Sequence, residues 1–447
     1  MTGKLPIPNV SINKLTVTVF SAIVLTTLMS CRECPTEPQN EGKDFALDYA
    51  GPSFVSLSFS ISGSGKRNYA IQRDSLIVLT GTLFGEDTIV TDWNAEPATT
   101  YRYRLLVKDH GETIDKSEWL SVTTMDTTSH DFTWEKIVLC NGGGYLEDVE
   151  IVDENNVWVV GEFIPEPDTG GYSPNAAHWD GNSWTLKQIK YGATIYDILV
   201  FSDNDIWVSS GLPYHWDGQR WTLYHLWDMG VLSESDHPVY WMWGSSSSNM
   251  YFIGEGTVVH YDGKTFKKIE DIPDYNYYRI NGIFDQVTNQ TRIWIGAISI
   301  EVQGGALIYF DGQNWTTIWD RDNRYYPDPV YSTVGASWIP NNCKYLLFYI
   351  GGAVDGIFSI HNINIFDDYT YSVSVNLGAI RRIDGNGMND FFAVGDFNNV
   401  IHYNGKTFHN YSELRGDSHS RYVSVAQKGD VVYIVESAGT IIYKGIR

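Results

Sequence analysis

The sequence predicts an all-β protein, and three observations carry that expectation. Aromatic residues make up 14% of the chain, with 41 glycines and only 15 prolines, a mixture suited to short strands joined by Gly-rich turns. Long runs at the helical period are scarce. One phrase also recurs: HWDGNSWT at 178, HWDGQRWT at 215, HYDGKTFK at 260, YFDGQNWT at 309 and HYNGKTFH at 402. Asp-Gly and Asn-Gly favour hairpin turns, because glycine accepts a positive φ freely and Asn or Asp tolerates one.

At 447 residues the chain is too long for one ordinary core, so two or three domains are expected. Formal charge is 31 minus 54, or -23, and no basic run after residue 20 offsets it. Nucleic acids and anionic lipid surfaces are therefore poor partners; the charge itself serves solubility.

Residues 1–30 read as an address. Lys4 and Lys14 precede LTVTVFSAIVLTTLMS, residues 15–30, an apolar stretch shorter than a bilayer-spanning helix needs, as in a secretory signal. Leu28, Met29, Ser30 and Cys31 then resemble the bacterial lipobox. That resemblance implies cleavage before Cys31 and attachment of diacylglycerol to its thiol, leaving a membrane contact through the lipid alone. Arg32 differs from the Asp that marks inner-membrane retention in some Gram-negative bacteria, so the resemblance implies an outer-membrane address. Residues 31–45 form a polar tether.

Residues 46–128 alternate strands and polar turns, among them SFVSLSFSIS, LIVLTGTL, TYRYRLLVKD and EWLSVTTMD, which suits a β-sandwich. Within AEPATTYRYRLLVKD, Pro97, Thr99, Tyr101 and Tyr103 fall on the spacing of a tyrosine corner, and the segment resembles the fibronectin type III module. Such a module is expected to act as a spacer.

From 129 to 447 the chain repeats a longer unit. Upstream of each Asp-Gly hairpin lies a strand phrase, NNVWVVG at 155, NDIWVSSG at 204, NMYFIG at 249, TRIWIG at 291 and NDFFAVG at 389. Before it comes a further run, such as LEDVEIV at 146, YDILVF at 196 or IRRI at 380. Four strands in a meander make one propeller blade. Hairpin anchors at Gly181, Gly218, Gly263, Gly312 and Gly405, a degenerate FDDYTY at Asp368 and a last YKG at Gly445 give a seven-bladed β-propeller. The final unit lacks a fourth strand, which FTWEKIVL, residues 132–139, is expected to supply. In each hairpin the flanking aromatics share a face: Trp184 lies opposite Ala177 if the loop has two residues, or opposite Trp179 if it has four. The layout resembles Kelch-type and related bacterial propellers. It lacks the Gly-His partner of WD40 repeats and the Asp-box spacing of sialidases, so the resemblance implies architecture and no borrowed activity.

Turns alternate ends in a meander, so the first and third turns of each unit open on one side and the irregular loops on the other. Binding residues concentrate on loops held by a rigid scaffold, and the candidate ligand-binding residues are Asp168, Trp227, His237, Tyr275, Tyr277, Trp319, Arg321, Arg324, Tyr325 and Tyr326. Flat rings with acids and a few arginines suit stacking on sugars or gripping a cationic peptide. His178, His215, His260 and His402 recur beside the hairpin, one per blade, and belong to the repeat rather than to a metal site. Cys140 and Cys343 read as small buried hydrophobes; no metal or other cofactor is expected. No nucleophile-base pair, zinc motif or phosphate loop is legible. The sequence favours a monomeric extracytoplasmic protein that binds protein or glycan. A propeller enzyme acting on carbohydrate and an envelope assembly scaffold are the alternatives.

Overall fold

The computed structural model describes residues 45–61, 66–83, 87–164, 173–189, 193–286, 288–299, 304–320, 333–338, 345–351, 356–362, 371–375, 380–414 and 421–447. Cys31, Cys34, Cys343 and Asp368 lie outside them. Among these residues regular structure is strand throughout, apart from a 3-10 turn at Ser412–Leu414.

Two antiparallel sheets open the described chain. Ala46–Ala50, Val55–Phe59 and Thr88–Asp92 form one; Leu76–Leu83, Arg67–Arg73, Thr100–Asp109 and Glu112–Lys116 form the other, with Leu120–Thr123 also paired to Thr100–Asp109. Alternation buries one face of each: Val55, Leu57 and Phe59 from the first meet Ile71, Tyr103, Leu105, Leu120 and Val122 from the second. The Tyr103 hydroxyl enters this core because Asp92 accepts its proton at 3.0 Å, and Arg73 pairs with the same carboxylate at 2.8 Å. The Tyr101 hydroxyl accepts from the Glu96 backbone N–H at 2.9 Å, five residues upstream.

The remaining described strands form four-stranded antiparallel meanders. Sheet one joins Gly144–Asp153, Asn156–Phe163, Ala176–Trp179 and Trp184–Lys187. Sheet two joins Asp197–Ser202, Asp205–Ser209, Pro213–Trp216 and Trp221–Leu223. Val239–Ser246, Asn249–Gly254, Thr257–Tyr261 and Phe266–Lys268 make sheet three. Sheet four follows with Asn276–Asp285, Gln290–Ser299, Gly304–Phe310 and Trp315–Asp320. Sheet five has Thr333–Trp338, Tyr345–Gly351, Gly356–Asn362 and Tyr371–Val375; sheet six has Ile380–Gly387, Asp390–Gly395, Val400–Tyr403 and Phe408–Asn410. A closing sheet takes Tyr422–Lys428, Val431–Glu436 and Ile441–Ile446 from the end of the sequence, and Thr133–Val138 from before sheet one. First strands pack beside one another in sequence, and that of the closing sheet packs against that of sheet one, so the sheets circle an axis as a β-propeller.

The closing pair runs Ile441↔Val138 through Ile446↔Thr133, with Trp134 opposite Gly445. A Cβ on Gly445 would come within 2.7 Å of the Trp134 ring, so only glycine lets that ring lie on the strand. The arrangement leaves no open edge between the first and last segments.

The recurring hairpin has a four-residue loop: Trp179 pairs with Trp184, and Trp216 with Trp221. In each, the leading Asp or Asn oxygen accepts two backbone N–H groups. Asp180 Oδ1 takes Asn182 and Ser183 at 2.9 and 2.8 Å, and Asp217, Asp262, Asp311 and Asn404 repeat the pattern. Gly181 follows at φ 88°, where a side chain is strained. The repeated histidines anchor the same hairpin. His178 Nε2 meets Asn156 at 2.9 Å, His215 meets Asp205 at 2.8 Å, His260 meets Asn249 at 3.0 Å and His402 meets Asp390 at 2.8 Å. Each imidazole also stacks on a second-strand ring, Trp158, Trp207, Tyr251 or Phe392.

Cys140 differs from its expected place in a strand core: it is half-buried in the turn after Thr133–Val138, where its thiol donates to the Ile164 carbonyl. The sandwich also contacts sheet six directly. Phe54 buries against Met388 of the sheet-six turn, both 1% exposed, with Tyr49 and Trp93 around them. Lys406 pairs with Glu96 at 2.7 Å, and Thr128 donates to the Asn389 carbonyl at 2.9 Å. These contacts put the sandwich on the short-turn side of sheet six.

Candidate functional site

The first strand of most meanders carries a register shift near its start: Leu146/Asp148, Val239/Trp241, Tyr277/Arg279, Ile380/Arg382 and Tyr422/Ser424. A bulge of this kind re-aims side chains and ends regular pairing. Because these strands surround the axis, the shifted layer brings Glu147, Tyr240, Trp241, Tyr278, Arg279 and Arg381 to the end of the axis that faces the irregular loops, where Tyr196, just before the first strand of sheet two, joins them.

Aromatic contacts join neighbouring sheets there. Tyr196 meets Tyr240 edge-on with centroids 4.9 Å apart, Trp241 lies 5.5 Å from Tyr278, and the Arg279 guanidinium lies over the Trp241 ring at 5.6 Å. Arg279 reaches further, its Nε donating to the Arg381 backbone carbonyl at 3.0 Å. Arg381 is itself held by Asp396, through Nε at 2.6 Å and Nη2 at 3.2 Å. Burial, then the neighbouring Arg382, pull the Arg279 guanidinium down to about 10, so it stays charged at neutral pH. Burial pushes the Glu147 carboxyl up, against the attraction of Arg279.

The deeper acids are committed to holding the sheets together. Asp148 accepts from the Ile198 N–H of sheet two at 3.2 Å and from Ser424 of the closing sheet at 2.5 Å. Asp197 accepts from the Met242 N–H of sheet three at 2.7 Å, and Asp384 from the Gln427 N–H at 2.7 Å. Burial, and then the charge of Asp148, push the Asp197 carboxyl well above its usual range. With Arg382 4.0 Å from Asp148, this layer is a buried network in which the acids serve as inter-sheet acceptors.

The sequence-predicted residues fall in four groups. His237 and Tyr275 stand at the loop rim: His237 is 3.7 Å from Glu255, whose charge also reaches the Tyr240 hydroxyl, and the Tyr275 carbonyl accepts from Gly256. Trp227 packs within its own loop, its indole N–H donating to the Ser233 carbonyl at 2.9 Å. Tyr277 requires correction. It is fully buried with its hydroxyl donating to the Pro273 carbonyl, because the register shift turns Tyr277 into the sheet core and leaves Tyr278 for the channel. Trp319 pairs with Leu307 in its strand, while its side chain lies outside the described residues, as do Asp168, Arg321, Arg324, Tyr325 and Tyr326.

The axial residues were missed although a signal existed. LEDVEIV, YDILVF and IRRI place charge inside strands that are otherwise apolar, and a charge in an innermost strand has only the axis or a partner to face. Among the described residues no group of three or more His, Cys, Asp or Glu has the geometry to hold a metal ion.

No family model matches this chain, and no curated protein matches it. Among solved structures, one described as "Structure of Dos1 propeller" is similar over 70% of this chain and 95% of that one, with 10% identity and a TM-score of 0.48.

Proposed function

We propose that this protein is a lipid-anchored extracytoplasmic binding protein whose seven-bladed, Kelch-like propeller engages a protein or glycan on its irregular loop face. The observation that carries this reading is the axial mouth, where Tyr196, Tyr240, Trp241 and Tyr278 from three sheets adjoin Glu147 and Arg279. Half-buried rings beside opposite charges suit a ligand with an apolar surface and a polar edge. The placement of the sandwich supports the orientation. Phe54 and Met388 dock it on the short-turn side of sheet six, the side opposite the irregular loops. The Tyr101 to Glu96 hydrogen bond supports a fibronectin type III-like module, because a tyrosine corner returns its hydroxyl to backbone a few residues upstream. The lipobox supports an envelope address on the outer membrane.

Glycan-array binding and affinity capture from the native envelope, each run with Tyr240→Ala and Tyr278→Ala, test the proposal. Loss of a sugar signal or of a captured protein in these variants supports it. Release of a shortened sugar product would favour the enzyme alternative. Unchanged binding in both variants would move the site elsewhere.

A further inference from the structure

On the short-turn side a cleft of ≈ 610 Å³ lies between sheets three and four. It opens where the repeat is broken. In sheets one, two, three and six and in the closing sheet, two residues join the first strand to the second. In sheet four the last pair is Asp285↔Gln290, which leaves four, 286–289; the matching turn of sheet five lies outside the described residues. Asp285 braces the longer turn, accepting from the Thr288 N–H at 3.3 Å and from its hydroxyl at 2.8 Å.

Elsewhere on this side the first turn of a sheet bonds to the sheet before it. Asp203 accepts from Asn156 at 2.6 Å, Ser247 accepts from the Trp207 indole at 2.7 Å, and Gly429 exchanges two hydrogen bonds of 2.8 Å with Asn386. Between sheets three and four the link instead runs strand to strand, from Asn249 to the Thr291 hydroxyl at 2.9 Å. Among the described residues no hydrogen bond ties Gln286 or Asn289 to sheet three, so the longer turn stands off as a wall of the cleft.

Aromatic rings and neutral polar groups line the space. Tyr251 and His260 stack with centroids 4.3 Å apart, and Phe310 lies 6.4 Å from Tyr251. Phe284 is the exposed ring, at 38%, and no other described aromatic ring packs on it. The exposed Gln286 and Asn289 carboxamides supply donors and acceptors that a ligand can reach. None of the thirteen lining residues is an acid, a lysine or an arginine, although charged residues make up 19% of the chain. Burial lowers the His260 imidazole, so it too is neutral at pH 7. A charged ligand would find no counter-charge in this lining. A pyranose offers C–H faces that pack on an aromatic ring and hydroxyls that both donate and accept, which matches a bare ring beside carboxamides. Extended peptides are captured through a free strand edge, whereas this cleft lies at turns. Its volume falls within the ~300–1,000 Å³ of ligand sites.

We propose that this cleft binds a neutral saccharide, with Phe284 stacked on a sugar ring and Gln286 and Asn289 bonded to its hydroxyls. The residues are distinct from those of the loop-face mouth, so either proposal can fail without the other.

Isothermal titration and saturation-transfer NMR on the full chain test it. Methyl glycosides of neutral hexoses and N-acetylhexosamines form one arm, neutral oligosaccharides of the same sugars a second, and uronate-containing oligosaccharides a third. The expected result is saturable binding of a neutral probe that weakens about tenfold or more in Phe284→Leu. It should survive in Phe284→Trp, which keeps a flat ring, and in Tyr240→Ala, which alters only the loop-face mouth. Asn289→Gly keeps a turn at φ 55° while removing the carboxamide, and should weaken binding as well. Binding of the glycosides assigns a free solute, and binding of the neutral oligosaccharides alone assigns a glycan chain. Because Phe284 is exposed, Phe284→Leu should unfold at the wild-type temperature; binding lost together with a lowered midpoint would mark the ring as structural and overturn the proposal. So would no binding in either neutral arm, binding of the uronate arm alone, or equal binding by Phe284→Leu.

Discussion

Arg447→Ala tests how the propeller ring is locked. The Arg447 guanidinium clamps Asp390 through two hydrogen bonds, 2.9 and 2.8 Å, and lies over the Phe132 ring at 5.2 Å. Asp390 is 4% exposed at its side chain and Arg447 17%. Burial alone would raise the Asp390 carboxyl; hydrogen bonds from His402, Arg447 and Asn386 overcome it and hold that group well below the usual carboxylate range. Removing one partner of a buried pair costs about 3–5 kcal/mol, because the other charge stays behind unpaired. The closing pair between 133–138 and 441–446 should feel this directly, since Arg447 follows the last strand and Phe132 precedes the first. Amide hydrogen exchange reads local opening, and at about 1.4 kcal/mol per decade the expected fall in protection there is roughly two to four powers of ten. Arg447→Lys keeps the charge without the fork and should lie between the two. The pH dependence follows from the same pair. A depressed carboxyl contributes stability that is present above its unfolded value and lost as pH falls through the folded one, so in Arg447→Ala, where the depression is smaller, the loss of stability on acidification should be shallower. Protection within a factor of about ten of wild type would refute the reasoning.

Three further predictions concern other parts of the fold. His130 and His402 approach through their Nδ1 atoms at 2.7 Å, so one donates and the other accepts; burial, then the charges of His402 and His409, lower His130 to about 4. A histidine lowered on folding contributes stability above its unfolded value, about 6.5, that drains away as pH falls toward 4; urea midpoints across that window should drop, and His130→Asn should flatten the slope. Gly181→Ala places a side chain at φ 88° with its Cβ 2.6 Å from the Asn155 side-chain oxygen, and should destabilise by about 1–2 kcal/mol, measured by thermal unfolding, whereas no change would mean the turn relaxes freely. Met388→Ala empties the plug between sandwich and ring, a loss of about 2–5 kcal/mol of buried packing; small-angle scattering should show a wider distribution of inter-module distances, and an unchanged profile would place the rigidity in the polar contacts instead.

Reading the chain from its residues succeeded where the chemistry is local. Whether the hairpin has two or four loop residues was open in the sequence, but the Asp, the positive-φ glycine and the paired rings all lie within six positions of one another, so their roles were legible. The histidines were legible for the same reason, since each contacts an Asn or Asp one strand away. Tyr277 and Tyr278 show the limit. Strand alternation alone cannot say which of two adjacent tyrosines meets the axis, because a one-residue register shift exchanges their faces. The joint through Phe54 and Met388 had no sequence signal at all, as each residue is an ordinary buried hydrophobe in its own module.

By itself, then, the sequence determined the strand content, the repeating unit and the turn that defines it, because those depend on backbone sterics and on neighbours a few residues apart. Only the tertiary structure decided that Glu147, Tyr240, Arg279 and Arg381 share one mouth and that Tyr251 and Phe284, from different sheets, line one cleft. Those facts arise when strands far apart in the chain are brought around a common axis, and a buried charge or an aromatic side chain acquires its meaning from whatever the closed ring sets opposite it.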